Sequence, residues 1–124
     1  MARVLALVPD LLFGSRLQGA LTVAGLEVEL VDDEDRVRAR LNDGAAAAAV
    51  LIVDLTNDDL DGTGIVEALS GEGLLSNTRT LGFYSHVDAD TRERAEQAGF
   101  DQVVPRSRMA REAPQLVERL LDAG

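Results

Sequence analysis

The chain has 124 residues, a length that suits one compact domain. It has no cysteine and a single histidine, His86, which excludes disulfides, cysteine nucleophiles, thiolate metal sites and multi-histidine metal sites. Its 22 acidic and 12 basic residues give a net charge of −10, and this charge disfavours binding to nucleic-acid phosphates or anionic membranes.

The basic residues are all arginine, so a lysine base, a Schiff base and a phosphate-loop lysine are excluded. No signal peptide is indicated, because Arg3 is followed by only a short apolar run before Pro9 and Asp10. No apolar stretch approaches the length of a membrane span. These features predict a cytoplasmic protein that binds neither membranes nor nucleic acid.

Five short apolar runs predict five β-strands. The runs cover residues 4–8, 28–31, 48–55, 81–84 and 103–104. The first and third are almost continuously apolar, which is typical of strands that are buried on both faces of a parallel sheet. The second alternates charged and apolar residues from Glu27 onward, which predicts an edge strand with one face in water.

The segments between these runs predict helices. They cover residues 15–24, 33–42, 65–69 and 88–98, and a last helix has Pro114 near its first turn. Asp88 is a suitable N-cap for the fourth of these helices, and Gly99 suits the position just after its end. The last helix has an apolar stripe formed by Leu116, Val117, Leu120 and Leu121.

The alternation of short strands and amphipathic helices predicts an α/β fold with a parallel sheet and helices on both faces. In such a fold the ligand crevice lies at the carboxyl ends of the strands. The polar residues predicted to meet there are Asp10, Asp54, Ser85 and Arg106.

Asp54 ends the most strongly apolar run. A carboxylate on a stiff element beside a crevice suits a metal ligand or a phosphoryl acceptor, although capping of the next turn is an alternative. The segment from Asp54 to Asp61 and Gly62 resembles the phosphoacceptor segment of response-regulator receiver domains, in which a glycine follows the acceptor aspartate at this offset. The resemblance extends over essentially the whole chain in the order and length of its elements.

The resemblance implies one receiver-like domain over residues 1–124. It implies a flavodoxin-like, doubly wound (βα)5 fold whose five-stranded parallel sheet has the order 2-1-3-4-5. It also implies two-component signalling by phosphorelay, with Asp54 as the candidate phosphoacceptor. The implied partner is a protein, either a kinase or a downstream regulator, and a homodimer through the last two helices is an option. No output domain follows in the chain, so a stand-alone module is expected.

The receiver motif is matched only in part. The acidic pair that binds Mg²⁺ in the family falls on Pro9 and Asp10, so Asp10 and Asp54 are the candidate ligands of a weakened Mg²⁺ site. Ser85 lies within one position of the family's hydroxyl residue, and Arg106 takes the place of its lysine. Ser85 and Arg106 are therefore candidate phosphate or switch contacts.

Two departures from the motif predict an atypical receiver, or pseudo-receiver. Val103 stands at the position of the family's aromatic switch residue and has no ring to rotate. Arg106 carries a planar guanidinium instead of a compact ammonium group. A permanent pair between Arg106 and Asp54, which would mimic the switched-on state, and the binding of a phosphate by Arg106 both stay open.

Two surface features are candidate protein contacts. Arg108 and Arg111 follow Arg106 near the start of the last helix, where the helix dipole disfavours positive charge, so an interface with an acidic partner is one interpretation. Leu11 and Leu12, with the neighbouring phenylalanine, are expected to pack over the edge of the sheet. If these residues are exposed together, they form a partner patch.

A small flavodoxin-like ligand-binding protein or enzyme that uses the same crevice is the alternative function. Ser85, His86 and Asp88 resemble a hydrolytic set, but neighbours in sequence rarely converge as a catalytic triad requires. Flavin binding is disfavoured because aromatic platforms are scarce. The only aromatic residues are Phe13, Phe83, Tyr84 and Phe100. A protein that is not an enzyme is therefore expected.

Overall fold

The computed structural model describes residues 3–43, 48–85 and 89–122. Strands and helices alternate along the chain. In order they are β1 (Arg3–Leu7), α1 (Leu11–Val23), β2 (Glu27–Val31), α2 (Glu34–Leu41), β3 (Val50–Asp54), α3 (Gly62–Gly71), β4 (Arg79–Tyr84), α4 (Ala89–Ala98), β5 (Gln102–Pro105) and α5 (Arg106–Asp122). The predictions made for His86 and Asp88 fall outside the described residues.

The strands form one parallel sheet in the order β2-β1-β3-β4-β5. Every residue of β3 is buried, because its continuous apolar run is covered by helices on both faces of the sheet. β2 lies at an edge, as its alternation of charged and apolar residues predicts. The expected fold class and strand order are confirmed.

The sheet separates two apolar cores. Alternate residues of β3 point to opposite faces, so Ile52 packs with α1 and α5 whereas Leu51 packs with α2, α3 and α4. Leu21 of α1 and Leu116 of α5 are fully buried in the first core. Of the helices that the structure describes, none is long and apolar enough to cross a membrane.

The last helix, α5, is kinked. Glu112 has non-helical backbone angles (φ −125°, ψ 17°), and Pro114 follows two residues later. Proline cannot donate a backbone hydrogen bond, and its ring crowds the carbonyl of residue 110. The sequence predicts a last helix with Pro114 near its first turn, and this description fits the segment after the kink. The segment before the kink begins at Arg106 and carries Arg108 and Arg111, which the sequence places near the start of the last helix.

The first helix begins earlier than predicted, at Leu11 instead of residue 15. Leu11 and Leu12 are 82% and 66% exposed, whereas Phe13 packs against the core. The expectation that all three pack over the sheet edge is therefore wrong for the two leucines. The cause is helical geometry, because Gly14 and Leu17 fall on the buried face of α1 and the leucines fall on the outer face.

Candidate functional site

Asp54 lies at the carboxyl end of β3 and is only 2% exposed. Its Oδ1 accepts two hydrogen bonds from Thr56, one from the backbone N at 2.7 Å and one from Oγ1 at 2.6 Å. This side chain therefore shapes the turn after β3, the capping role that was the alternative to phosphoryl acceptance. Sequence reasoning missed Thr56, although a hydroxyl two residues after an aspartate is a signal for such a turn.

Asp10 and Arg106 bind each other. Asp10 is the N-cap of α1, and its Oδ1 accepts hydrogen bonds from the backbone N of Leu12 and of Phe13. Its Oδ2 accepts a hydrogen bond from Nη2 of Arg106 at 3.2 Å. Among the described residues, Asp10 is the ion-pair partner of Arg106, so the permanent Arg106–Asp54 pair that the sequence left open is not formed.

Two phenylalanine rings in tilted contact, Phe13 and Phe83, fix the direction of Arg106. Its guanidinium carbon lies 4.5 Å from the centre of the Phe13 ring, within the range of a cation–π contact. The Phe13 ring in turn lies 4.9 Å from the ring of Phe83, which is fully buried. The carboxylate of Asp10 and the ring of Phe13 thus hold Arg106 over α1.

The carboxylates of this site do not fit a resident Mg²⁺. Mg²⁺ requires oxygen ligands that are free to turn toward it in octahedral geometry. Both oxygens of Asp10 are already bonded, Oδ1 of Asp54 accepts twice from Thr56, and Pro9 offers no ligand side chain. Across residues 3–43, 48–85 and 89–122 there is no group of three or more histidine, aspartate and glutamate side chains that could hold a metal.

An open cleft of about 660 Å³ lies between α1, α5, Thr56 after β3 and Ser85 after β4. We call it the arginine cleft; its lining residues are Phe13, Arg16, Thr56, Ser85, Arg106, Ser107 and Ala110. It brings together Ser85 and Arg106, as the sequence predicts for the strand ends, and Asp54 lies behind Thr56. Sequence reasoning missed Arg16, which has no motif and reaches the cleft only because α1 and α5 pack side by side.

A second cleft, of about 470 Å³, lies on the other side of the loop after β3. Thr56 and Ser85 border both clefts, and Asp58, Asp61 and Arg94 line the second one. Asp61 is also the N-cap of α3, since its Oδ1 accepts from the backbone N of Gly64 at 3.1 Å.

The predicted interface residues lie on α5. Arg108 and Arg111 both pair with Glu112, at 3.6 Å and 3.5 Å. This glutamate offsets the unfavourable placement of positive charge in the first turns of the helix. The Arg111 side chain is 71% exposed, so its charge faces solvent.

No family model matches the chain, and no curated protein sequence matches it. Solved structures do match. The Francisella response regulator 1452 receiver domain superposes with a TM-score of 0.84 and 15% identity, covering 99% of this chain and 98% of that chain. A putative response regulator from Chloroflexus aurantiacus gives a TM-score of 0.85 and 17% identity, covering 98% of each chain.

The Vibrio cholerae chemotaxis protein CheY4 gives a TM-score of 0.82 and 20% identity, covering 97% of this chain and 98% of that chain. At such low identity the likeness establishes a shared architecture and leaves activity to be argued from the site. The fold that the sequence resemblance implies is confirmed: this chain has the fold of the response-regulator receiver domains.

Proposed function

We propose that this chain is a receiver-type signalling module that acts by protein–protein contact and not as an enzyme, and that Mg²⁺-dependent phosphorylation of Asp54 is at most weak. The observation that carries the proposal is the bond between Asp10 and Arg106. These residues stand where the resemblance places a metal ligand and a phosphate-binding lysine. In this chain they neutralise each other.

The chemistry of phosphoryl transfer supports this proposal. Attack by a carboxylate on a phosphoryl group requires cations that stabilise the charge on the transferred oxygens. The described carboxylates beside Asp54 offer no resident metal site, and Arg106 is turned toward Asp10. Asp54 itself is buried, and its Oδ1 is engaged by the two hydrogen bonds from Thr56.

The partner we propose is a protein, a kinase or a downstream regulator, that contacts α5. Arg108 and Arg111 are the candidate contact residues, and Arg111 is the more accessible of the two. An acidic partner surface would suit this part of α5. The resemblance also implies the alternative of a homodimer through α4 and α5, and sedimentation would distinguish the two arrangements.

Phosphorylation of Asp54 can be tested directly. The protein is incubated with Mg²⁺ and acetyl phosphate, or with beryllofluoride, and followed by intact mass and NMR. We expect little or no phosphoryl mass shift and an almost unchanged spectrum. The double variant Pro9→Asp with Arg106→Lys restores the residues that the resemblance implies, and we expect it to gain a phosphoryl group.

Asp54→Ala is the control in both backgrounds. In the double variant it should remove the gained modification, which would locate the phosphoryl group on Asp54. Near-complete phosphorylation of the wild type that Asp54→Ala abolishes would contradict the proposal. It would instead make this chain a phosphorylated receiver despite the Asp10–Arg106 bond.

A further inference from the structure

We propose that the second cleft, between the loop after β3 and α4, binds a free amino acid as a zwitterion. The ligand carboxylate would lie on Arg94, and the ligand ammonium group on Asp58 and Asp61, since charges of both signs line this cleft. This binding activity goes beyond the signalling role proposed above. It uses neither Asp54 nor Arg106.

Arg94 presents an unpaired guanidinium to the cleft. It is an exposed residue of α4 and forms no ion pair with any described residue, although two acids line the same cleft. Its Nη2 lies 3.5 Å from Oγ1 of Thr91, a buried residue one turn earlier on α4 that also lines the cleft. This long contact occupies at most one of the five N–H donors of the guanidinium. The others are left for a ligand carboxylate, which arginine binds in bidentate geometry.

The two carboxylates of the cleft also have oxygens left for a ligand. Asp58 has no hydrogen-bond or ion-pair partner among the described residues. Asp61 caps α3 through its Oδ1, which accepts from the backbone N of Gly64 at 3.1 Å, and no described residue donates to its Oδ2. The cap orders the Asp61 carboxylate before a ligand arrives, so less entropy is lost on binding. Both acids can therefore accept hydrogen bonds from an ammonium group.

The charges of the lining define the class of ligand. The two acids and Arg94 line one cleft without pairing with one another, and a ligand that carries both charges can bridge them. A simple anion would be repelled by the carboxylates, and a metal cation by the arginine. In the part of the chain that the structure describes, no group of three or more acidic or histidine side chains could hold a metal.

The size and the uncharged lining of the cleft favour an amino acid with a neutral polar side chain. Its volume of about 470 Å³ lies in the usual range of small-molecule sites. Oδ1 of Asn57 accepts from the backbone N of Asp59, which leaves the Asn57 amide NH2 without a described partner. The hydroxyl of Thr63 has no described partner either. Glutamine is therefore a suitable probe, because its side-chain amide both donates and accepts hydrogen bonds.

Calorimetric titration at low ionic strength tests this site with L-glutamine and two analogues that each lack one charge. N-acetyl-L-glutamine keeps the carboxylate and lacks the ammonium charge, whereas L-glutaminamide keeps the ammonium group and lacks the carboxylate charge. We expect L-glutamine to bind, and we expect each analogue to bind about tenfold more weakly or worse. The reason is that each analogue loses charge-assisted hydrogen bonds.

Variants of the charged residues locate the site. Arg94→Gln should weaken binding of L-glutamine about tenfold or more, and Asp58→Asn should weaken it by a smaller factor because Asp61 still holds the ammonium group. Neither substitution breaks an ion pair with a described residue, so the fold is kept. Two matched controls remove exposed charges that lie outside the lining and have no described ion-pair partner: Arg36→Gln and Asp59→Asn. Both should bind like wild type.

Binding of L-glutamine that Arg94→Gln loses and Arg36→Gln keeps would establish the site. Three results would overturn the proposal: no binding of L-glutamine at millimolar concentration, equal binding by wild type and Arg94→Gln, or equal binding of L-glutamine and an analogue that lacks one of its charges.

Discussion

Gly62 begins α3 directly against the end of β3, where the chain leaves room for no side chain. A Cβ atom at this position would lie 2.7 Å from Cγ1 of Val53 and 2.9 Å from Cδ2 of Leu55. Both distances are shorter than van der Waals contact, and the short, branched side chain of Val53 has little freedom to move away. The glycine eight positions after Asp54 is thus explained by packing of the helix on the strand.

We predict that Gly62→Ala lowers the free energy of unfolding by about 1–3 kcal/mol, the usual cost of overpacking a core. Urea denaturation measures this change. Gly19→Ala is the control, because Gly19 lies in the middle of α1 and, apart from its chain neighbours and the backbone of its own helix, a Cβ atom added there would meet no described atom within 4 Å. It should stabilise the protein by about 0.5–1 kcal/mol through helix propensity alone. Equal effects of the two substitutions would argue against the close approach at Gly62.

The positions of the candidate site residues could be predicted more readily than their contacts. Each of the four residues ends a strand, follows one or begins the next helix, and parallel strands bring these positions to one edge of the sheet: Asp10, Asp54, Ser85 and Arg106. The partner of Arg106 could not be predicted, because it depends on a cation–π contact with Phe13 and on the helix cap at Asp10, which form only in the folded chain.

Among the elements, α5 differs most from its sequence pattern. It runs from Arg106 to Asp122 across the kink at Glu112, with Met109 buried before the kink and Leu116 buried after it. Pro114 lies in the first turn after the kink, where proline is tolerated because the backbone N–H groups of a first turn have no intrahelical partner. In the middle of a helix, proline costs about 3 kcal/mol.

We predict that Pro114→Ala changes the free energy of unfolding by less than about 1 kcal/mol. The direction should be destabilising, because alanine leaves the unfolded chain with more conformational freedom than proline does. Urea denaturation of the variant checks the value. A stabilisation of about 2 kcal/mol or more would mean that Pro114 strains the helix interior and that the kink is imposed by this residue alone.

The elements that could be predicted are those whose apolar runs are long and unbroken. β3 is fully buried, and its run of apolar residues indicates a central strand without other information. Sequence reasoning missed the start of α1, although Asp10 stands directly before it and an aspartate before an apolar run is an N-cap signal. Arg106 follows β5 with no residue between them, so no turn signal separates strand from helix there.

At the scale of the whole molecule, acidification has two opposing effects on stability. Protonation of carboxylates reduces the net charge of −10 and relieves the repulsion within the folded chain. It also removes the negative partners of ion pairs on the surface. One such pair joins two helices, since Nη1 of Arg38 in α2 lies 2.6 Å from Oε1 of Glu72, the C-cap of α3.

The hydrogen bond from Arg38 lowers the pKa of Glu72 below its usual range, so the folded state binds this proton less readily than the unfolded state. The resulting stabilisation is complete above about pH 4.3, the ordinary pKa of glutamate, and is lost as pH falls through the lowered pKa. We therefore predict that wild type is more stable than Glu72→Gln at pH 7, and that this difference shrinks below about pH 4.3.

Urea denaturation at a series of pH values measures the free energy of unfolding of wild type and of Glu72→Gln. The two chains share almost all of their other charges, so the general relief of repulsion on acidification affects both and cancels in the difference between them. What remains is the effect of losing the ion pair. Glu67→Gln on the same helix is the control, because Glu67 is exposed and in no ion pair with a described residue. The difference in the free energy of unfolding between wild type and Glu67→Gln should not shrink in this way as the pH falls. A gap for Glu72→Gln that stays constant down to about pH 3 would show that the Arg38–Glu72 contact does not tie α2 to α3 in solution.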